Sequence, residues 1–502
     1  MVERRRLLKD LGAVGASVYL TRALYTIRGL ITARFLGPGD YGIWGSLGIL
    51  LNYSNAAPLG ATESIAREIP YLTQRGELDR VTKTKEQAFS FGLFTSLLLT
   101  LAIALYAVLH KATLGPIYYD GLLVVALGVT AQQLYSFYGM LLRAEKRFVF
   151  RSKVEITFGA INVPLTIGLV VLYGLRGLFA SFLLSYIFIV SYLLRKFPIR
   201  VRLFMDPAFI GELIRIGFPN YLIGLVYTLF ASVDRLVIVK YLRTEDMGYY
   251  AIGLTLLSVL GEAPMTLSQV IGPNLVERYG RANSLVDLVR YVEIPSMAIA
   301  FCFPALLGTV LFGYELLVCY VLPKFGPGLP AVEVLVLGSY FLGVARGPSS
   351  FLFAIRRLGV AILIYAFCIV VAVVLNVSFV KAGWGLVGVA AATAATFATL
   401  FVLYAGYVLT FLYGRRGRSY LRFFASVFLS FAYATAGFYA LKHFLPLSRE
   451  GIVVDIGRVA VRIILFLLLL APGVFHFLRR YGLWEEVRRS FLWGASRMRR
   501  TR

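Results

Sequence analysis

The chain has 502 residues, of which 59% are hydrophobic and only 15% charged, with a mean hydropathy of +0.76. No water-soluble core can hide that much apolar surface, so a soluble globular protein is excluded and lipid is the solvent for most of the chain. The formal net charge of +25, from 51 Lys and Arg against 26 Asp and Glu, would suit nucleic acid only if the basic residues were clustered for it, and they are not.

Backbone groups in hydrocarbon need internal partners, and apolar runs of roughly twenty residues select helices over a closed barrel. The runs predict an all-α membrane protein of about fourteen spans. The first six lie near 12–36, 41–60, 87–109, 118–142, 154–174 and 177–194. Six more follow near 214–242, 247–270, 292–313, 329–355, 358–380 and 383–412, and a last pair near 420–441 and 456–478. The expected organisation is a first six-helix bundle over 1–205, a second over 206–414, two additional helices over 415–480 and a basic amphipathic tail over 481–502. That tail has Leu483, Val487 and Phe491 at helical spacing among arginines, which suits the anionic inner leaflet.

Basic clusters fall at Arg4 to Arg6, at Arg143, Lys146, Arg147, Arg151 and Lys153, and at Arg415, Arg416 and Arg418. Every second loop is basic and the intervening ones are nearly bare. This positive-inside pattern places both termini in the cytoplasm of a multi-pass cell-membrane protein and leaves no role for nucleic acid. The N-terminus imitates a secretory signal, but Arg22 and Arg28 interrupt its apolar stretch, and it is read as a retained first span. Cys302, Cys319 and Cys368 and the three His are scattered, without the spacing of a disulfide framework or a zinc site. No nucleophile triad or phosphate-cradling loop is present, so neither an enzyme nor a cofactor is expected.

An internal repeat is the most informative feature. RFLGPGDYGIWG from Arg34 and KYLRTEDMGYYA from Lys240 align at an offset of 206 residues. In that register Asp40 meets Asp246, Gly42 meets Gly248 and Pro58 meets Pro264, with Gly37 closing the first copy's span. LLRAEKR at 141–147 resembles FLFAIRR at 351–357 after a small shift. Two copies of six spans share one orientation, so an axis along the membrane normal relates them. Asp40 and Asp246 are each expected to act as helix N-caps after a turn.

FLGPGDYGIWG, the VDRLVIVKYLRTEDMGYYAIG segment closing the seventh span and the six plus six plus two layout together resemble polysaccharide-transport flippases of the multidrug/oligosaccharidyl-lipid/polysaccharide exporter superfamily. The resemblance covers essentially the whole chain. It implies two six-helix bundles around a central cavity and alternating access. It also implies translocation of a lipid-linked oligosaccharide to the outer leaflet by a monomer, with an ion gradient, membrane potential or cargo consumption as the energy source.

The intramembrane charges point the same way without the resemblance. A central Arg costs roughly 2.5 to 3.5 kcal/mol on insertion scales, so Arg22 must face a wet or anionic interior. Arg28 lies about 9 Å further along the helix and on a different face, within reach of the same broad cavity. Guanidinium forks suit a phosphate-linked cargo. Asp234, Arg235, Glu262 and Arg346 are further cavity candidates, and Asn52 and Asn55, with Gln132 and Gln133, offer hydrogen bonds to sugar hydroxyls. Each has a structural alternative, ion pairing for the charges and interhelical hydrogen bonding for the amides. Arg28 and Asp234 are equivalent in the repeat, and a direct bridge between them is expected. Two other classes remain open: a multidrug or cation antiporter, which would favour an acidic cavity, and a membrane enzyme of lipid-linked sugars, which would need a catalytic loop with an acid pair.

In a background lacking the native cysteines, Lys111→Cys, Lys381→Cys and Arg449→Cys are expected to react with an impermeant thiol reagent added outside cells, and Lys146→Cys and Arg416→Cys are not. Reversed labelling overturns the orientation.

Overall fold

The computed structural model describes residues 2–202, 204–281, 286–413 and 417–485; most of the expected amphipathic tail therefore lies outside the described residues. Among these the regular elements are helices, and the protein is an all-α, multi-pass membrane protein. The first half runs α1 (Val2–Ser54), α2 (Ala61–Gln74), α3 (Leu78–Leu109), α4 (Pro116–Ala144), α5 (Phe148–Lys196), α6 (Pro207–Phe230), α7 (Val233–Tyr241) and α8 (Thr244–Leu260). The second half runs α9 (Glu262–Arg281), α10 (Val286–Tyr320), α11 (Leu329–Val344), α12 (Arg346–Ala354), α13 (Leu358–Lys381), α14 (Gly385–Tyr413), α15 (Gly417–Phe444) and α16 (Ile452–Arg480). Ten helical segments among the described residues are long and apolar enough to cross a membrane.

The two longest helices each hold two expected spans. At about 1.5 Å per residue a helix of 53 residues would far exceed the roughly 30 Å of bilayer hydrocarbon, so it must fold back. α1 does so at Gly37, whose φ of 72° is open to glycine, and Pro38 follows, where its missing N–H costs nothing at a helix start. The return places the Tyr41 hydroxyl 3.6 Å from where a Cβ on Gly29 would stand. α5 folds back in the same way at Gly174.

Two compact units divide the chain, Met1–Thr255 and Leu256–Arg502. In the first unit α1 packs along α5, and α4 packs against both and against α3. Its core has two apolar clusters, one around Phe89, Phe137 and Tyr138 and one around Leu47, Phe179 and Phe182. In the second unit α11 is the most enclosed span and packs against α10 and α14, while α16 lies along α10 and carries α15.

The repeated glycines make a reciprocal contact inside the first unit. A Cβ on Gly42 would stand 1.9 Å from the Thr244 carbonyl oxygen, and one on Gly248 would stand 1.9 Å from the Pro38 carbonyl oxygen. Pro38 and Thr244 are themselves repeat equivalents, so each copy contributes one glycine and one carbonyl. The aspartates beside them depart from the expected role. Asp246 sits in the first turn of α8 and accepts a hydrogen bond from the Arg243 N–H at 3.1 Å, reaching back to the cap rather than being it. Asp40 makes no capping hydrogen bond among the described residues, because the turn at Gly37 and Pro38 starts the returning helix without an N-cap side chain. Pro58 and Pro264 both mark helix breaks, after Ser54 and after Leu260.

Overpacking a backbone contact costs about 1 to 3 kcal/mol. Gly42→Val is therefore expected to lower the unfolding midpoint of the purified protein by several degrees. Gly48→Ala, whose Cβ meets nothing within 4 Å, leaves it unchanged.

Candidate functional site

α1, α4 and α5 enclose a cavity of about 490 Å3 in the first unit. Its charged lining is Arg22 and Arg28 from α1 and Arg151 and Glu155 from α5. Three tyrosines, Tyr25, Tyr135 and Tyr186, complete the polar wall. Packing fixes them: the Tyr135 and Tyr186 rings lie 5.8 Å apart edge to face, and Phe158 sits within 5.2 Å of the first and 5.0 Å of the second.

Arg28 is anchored rather than mobile. Its Nη1 donates to Asn162 Oδ1, and the guanidinium lies 5.2 Å from the centre of the Tyr25 ring. Asn162, almost completely buried, donates from Nδ2 to Ser185 Oγ at 3.0 Å, and Ser185 donates to the Ser181 carbonyl at 2.7 Å. Each donor along this chain points away from Arg28, so the Asn162 oxygen is the atom left to face it. The remaining N–H groups of Arg28 make no further hydrogen bond among the described residues. A guanidinium held by one edge, with its other donors unspent inside a cavity, is poised for a phosphate or carboxylate.

A second cavity of about 310 Å3 shares Tyr135, Arg151, Glu155 and Tyr186 with the first and continues to Arg143, Gln132 and Asn55. Arg151 and Glu155 form an ion pair at 2.8 Å, one helical turn apart. Gln132 donates to the Leu51 carbonyl at 3.3 Å, which ties α4 to the end of α1. The combined lining holds Arg22, Arg28, Arg143 and Arg151 against the single carboxylate of Glu155.

The structure thus brings Arg22 and Arg28 together despite their different helical faces, with Asn55 in the adjoining cavity. Asn52 lines a third, smaller space beside Asn55. Asp234 and Arg235 lie apart from these linings. Asp234 is buried and accepts from the Tyr250 hydroxyl at 2.5 Å and from the Arg235 N–H at 2.7 Å, and Arg235 Nη2 donates to the Ala231 carbonyl. The expected Arg28 to Asp234 bridge is not formed. Repeat equivalence fixes depth and orientation, but Asn162 and Tyr250 are the partners that packing supplies. Glu262, in the first turn of α9, and Arg346, at the start of α12, are half-buried residues of the second unit. Sequence reasoning missed Asn162 and Glu155 and counted Arg143 and Arg151 only as loop charges. A lone Asn in an apolar run, seven residues after Glu155, was the available signal.

Comparison with solved structures places the fold. A multidrug resistance MATE family transporter of the MOP superfamily, in an inward-facing conformation, matches with a TM-score of 0.67 at 15% identity, over 79% of this chain and 96% of the other. The lipid II flippase MurJ, in an inward closed conformation, matches with a TM-score of 0.68 at 12% identity, over 92% of this chain and 99% of the other. No curated protein matches the sequence. The profile of the polysaccharide biosynthesis protein family matches residues 31–322, more than half of the sequence, and to that family, with the fold of MOP-type transporters, the chain belongs.

Proposed function

We propose that the protein is a flippase that moves a lipid-linked oligosaccharide, its sugars joined to a polyprenyl phosphate carrier, across the cell membrane by alternating access. The observation that carries this reading is Arg28, fixed by Asn162 with its other donors directed to a cavity that also holds Arg22 and Arg151. Charge-assisted, forked hydrogen bonds to phosphate are what such a guanidinium makes best. The adjoining cavity, with Gln132, Ser136 and Asn55, offers amide and hydroxyl groups for sugar hydroxyls. The positive-inside distribution supports cytoplasmic termini and loading from the cytoplasmic leaflet.

A drug or cation antiporter of the same fold is the second reading. Four arginines against one carboxylate repel a cationic drug, which favours the anionic cargo.

The test uses proteoliposomes holding a fluorescent lipid-linked sugar and an impermeant quencher. A hydrogen bond to a charged group is worth about 1.5 to 3 kcal/mol, so Arg22→Ala and Arg28→Ala are each expected to slow flipping by roughly tenfold or more. Arg22→Lys recovers it only in part, because the fork is lost. Full flipping by Arg22→Ala and Arg28→Ala at wild-type abundance overturns the assignment. Asn162→Leu leaves Arg28 buried without its acceptor and is expected to cost about 1 to 3 kcal/mol of stability as well as activity, read by thermal unfolding alongside the flipping rate.

A further inference from the structure

α5 folds back at Gly174, so its two ends, near Phe148 and Lys196, return to the same side of the first unit. Aromatic contacts hold them there: the Phe150 ring stacks with Tyr192 at 6.4 Å and meets Phe197 edge to face at 5.1 Å. A pocket of about 290 Å3 remains between the ends, with Phe150, Lys153, Val154, Ile156 and Thr157 from the first pass and Tyr192 from the second. Lys153 takes no part in the arginine-lined cavities. Arg151 and Glu155, two residues to either side of it, line them and pair with each other. A step of two residues turns a helix by about 200°, which puts Lys153 on the opposite face.

The polar groups of this pocket lack partners within the protein. No carboxylate lines it, and Lys153 forms no ion pair among the described residues. By contrast, Lys83 and Lys85 of α3 pair with Asp206 at 2.9 Å and with Glu145 at 2.5 Å. A helical threonine commonly gives its hydroxyl to the carbonyl one turn back, as Thr73 and Thr82 do. Thr157 does not, and the Tyr192 hydroxyl is equally unengaged among the described residues. One turn beyond Tyr192, Arg195 and Lys196 close the helix, both exposed and outside any ion pair among the described residues. Buried Val154 forms the floor, and the apolar side chains around the mouth, Phe148, Val149, Ile156 and Phe188, are exposed as on a lipid-facing flank. Aromatic rings beside lysine and arginine mark the headgroup level of a bilayer, and basic pockets between spans suit anionic headgroups.

We propose that this wedge is a binding site for an anionic glycerophospholipid of the surrounding bilayer. Lys153 and the hydroxyls of Thr157 and Tyr192 hold its phosphodiester, and an acyl chain lies along α5 past Ile156. Charge and surface select this occupant. A zwitterionic lipid brings its own ammonium against Lys153, Arg195 and Lys196, and a soluble phosphate leaves the apolar flank uncovered. The lipid bridges the two passes of α5 at the ends that Phe150 and Tyr192 hold together. Its leaflet is the cytoplasmic one on the positive-inside reading, but binding depends neither on that orientation nor on the flippase reading.

The test is native mass spectrometry of the full chain released from detergent, with phosphatidylglycerol or phosphatidylcholine added and no cargo, so its failure leaves the cargo assignment untouched. Wild type is expected to retain phosphatidylglycerol in preference to phosphatidylcholine. Lys153→Ala is expected to weaken phosphatidylglycerol binding by roughly fivefold, the worth of one basic residue at an anionic lipid surface, and to leave phosphatidylcholine unchanged. Equal retention of the two lipids by wild type, or undiminished phosphatidylglycerol affinity in Lys153→Ala, overturns the proposal. Retention of a lipid-linked sugar but not of phosphatidylglycerol also overturns it. Should Lys153→Ala not yield folded protein, Thr157→Val takes its place: weaker phosphatidylglycerol binding supports the site, and wild-type affinity overturns it.

Discussion

A guanidinium does not leave water without an acceptor, and the hydrogen bond from Arg28 to Asn162 is the interaction on which the first unit's chemistry depends. It joins α1 to α5, and through Ser185 it reaches the returning half of α5, so one side chain ties three passes of the chain together. The charge itself remains unneutralised. The second unit handles charge in the opposite way. Arg462, fully buried in α16, pairs with Glu315 of α10 at 2.7 Å and donates to the Leu445 carbonyl, and Lys442 of α15 pairs with Glu333 of α11. Asp455 is saturated by Tyr320, Ser448 and the Arg449 N–H. That cluster matches cation to anion and clasps the last helix pair to its unit; the cavity of the first unit is instead lined by four arginines and one carboxylate.

Breaks in the helices are placed with similar economy. Residues 55–60, which contain Pro58, and Gly261, three residues before Pro264, each interrupt a span. At the first break the lost helical hydrogen bonds are replaced by local turns, including Ala61 N–H to the Pro58 carbonyl at 2.9 Å and Ser64 N–H to the Gly60 carbonyl at 3.1 Å. Two cavities that share Asn55 lie beside this part of the chain.

Much of this was legible in the sequence, for reasons that can be named. A charge within an apolar run is conspicuous, so Arg22 and Arg28 were found, and the turns at Gly37 and Gly174 fell between apolar runs where they were expected. Asn162 was not found, because a single amide in a span looks the same whether it serves packing or holds a functional charge. Arg143 and Arg151 were hidden by a boundary effect: α4 runs on to Ala144 and α5 starts at Phe148, so residues read as loop line a cavity wall, while Glu155, inside the expected fifth span, was not singled out. The Arg28 to Asp234 pairing failed because a repeat offset carries no information about which neighbour lies across the helix.

The glycine contact has a consequence of its own. Because Gly42 meets the Thr244 carbonyl and Gly248 meets the Pro38 carbonyl, the surface is isologous, the self-complementary geometry by which identical subunits associate in twofold dimers. Each copy of the repeated segment supplies both the glycine that yields room and the carbonyl that takes it, so one short stretch of sequence serves as both faces of the contact. A side chain larger than hydrogen at either glycine would be felt at the carbonyl of the opposite copy, whereas Arg28 and Asp234, at equivalent positions away from that surface, carry opposite charges and find different partners.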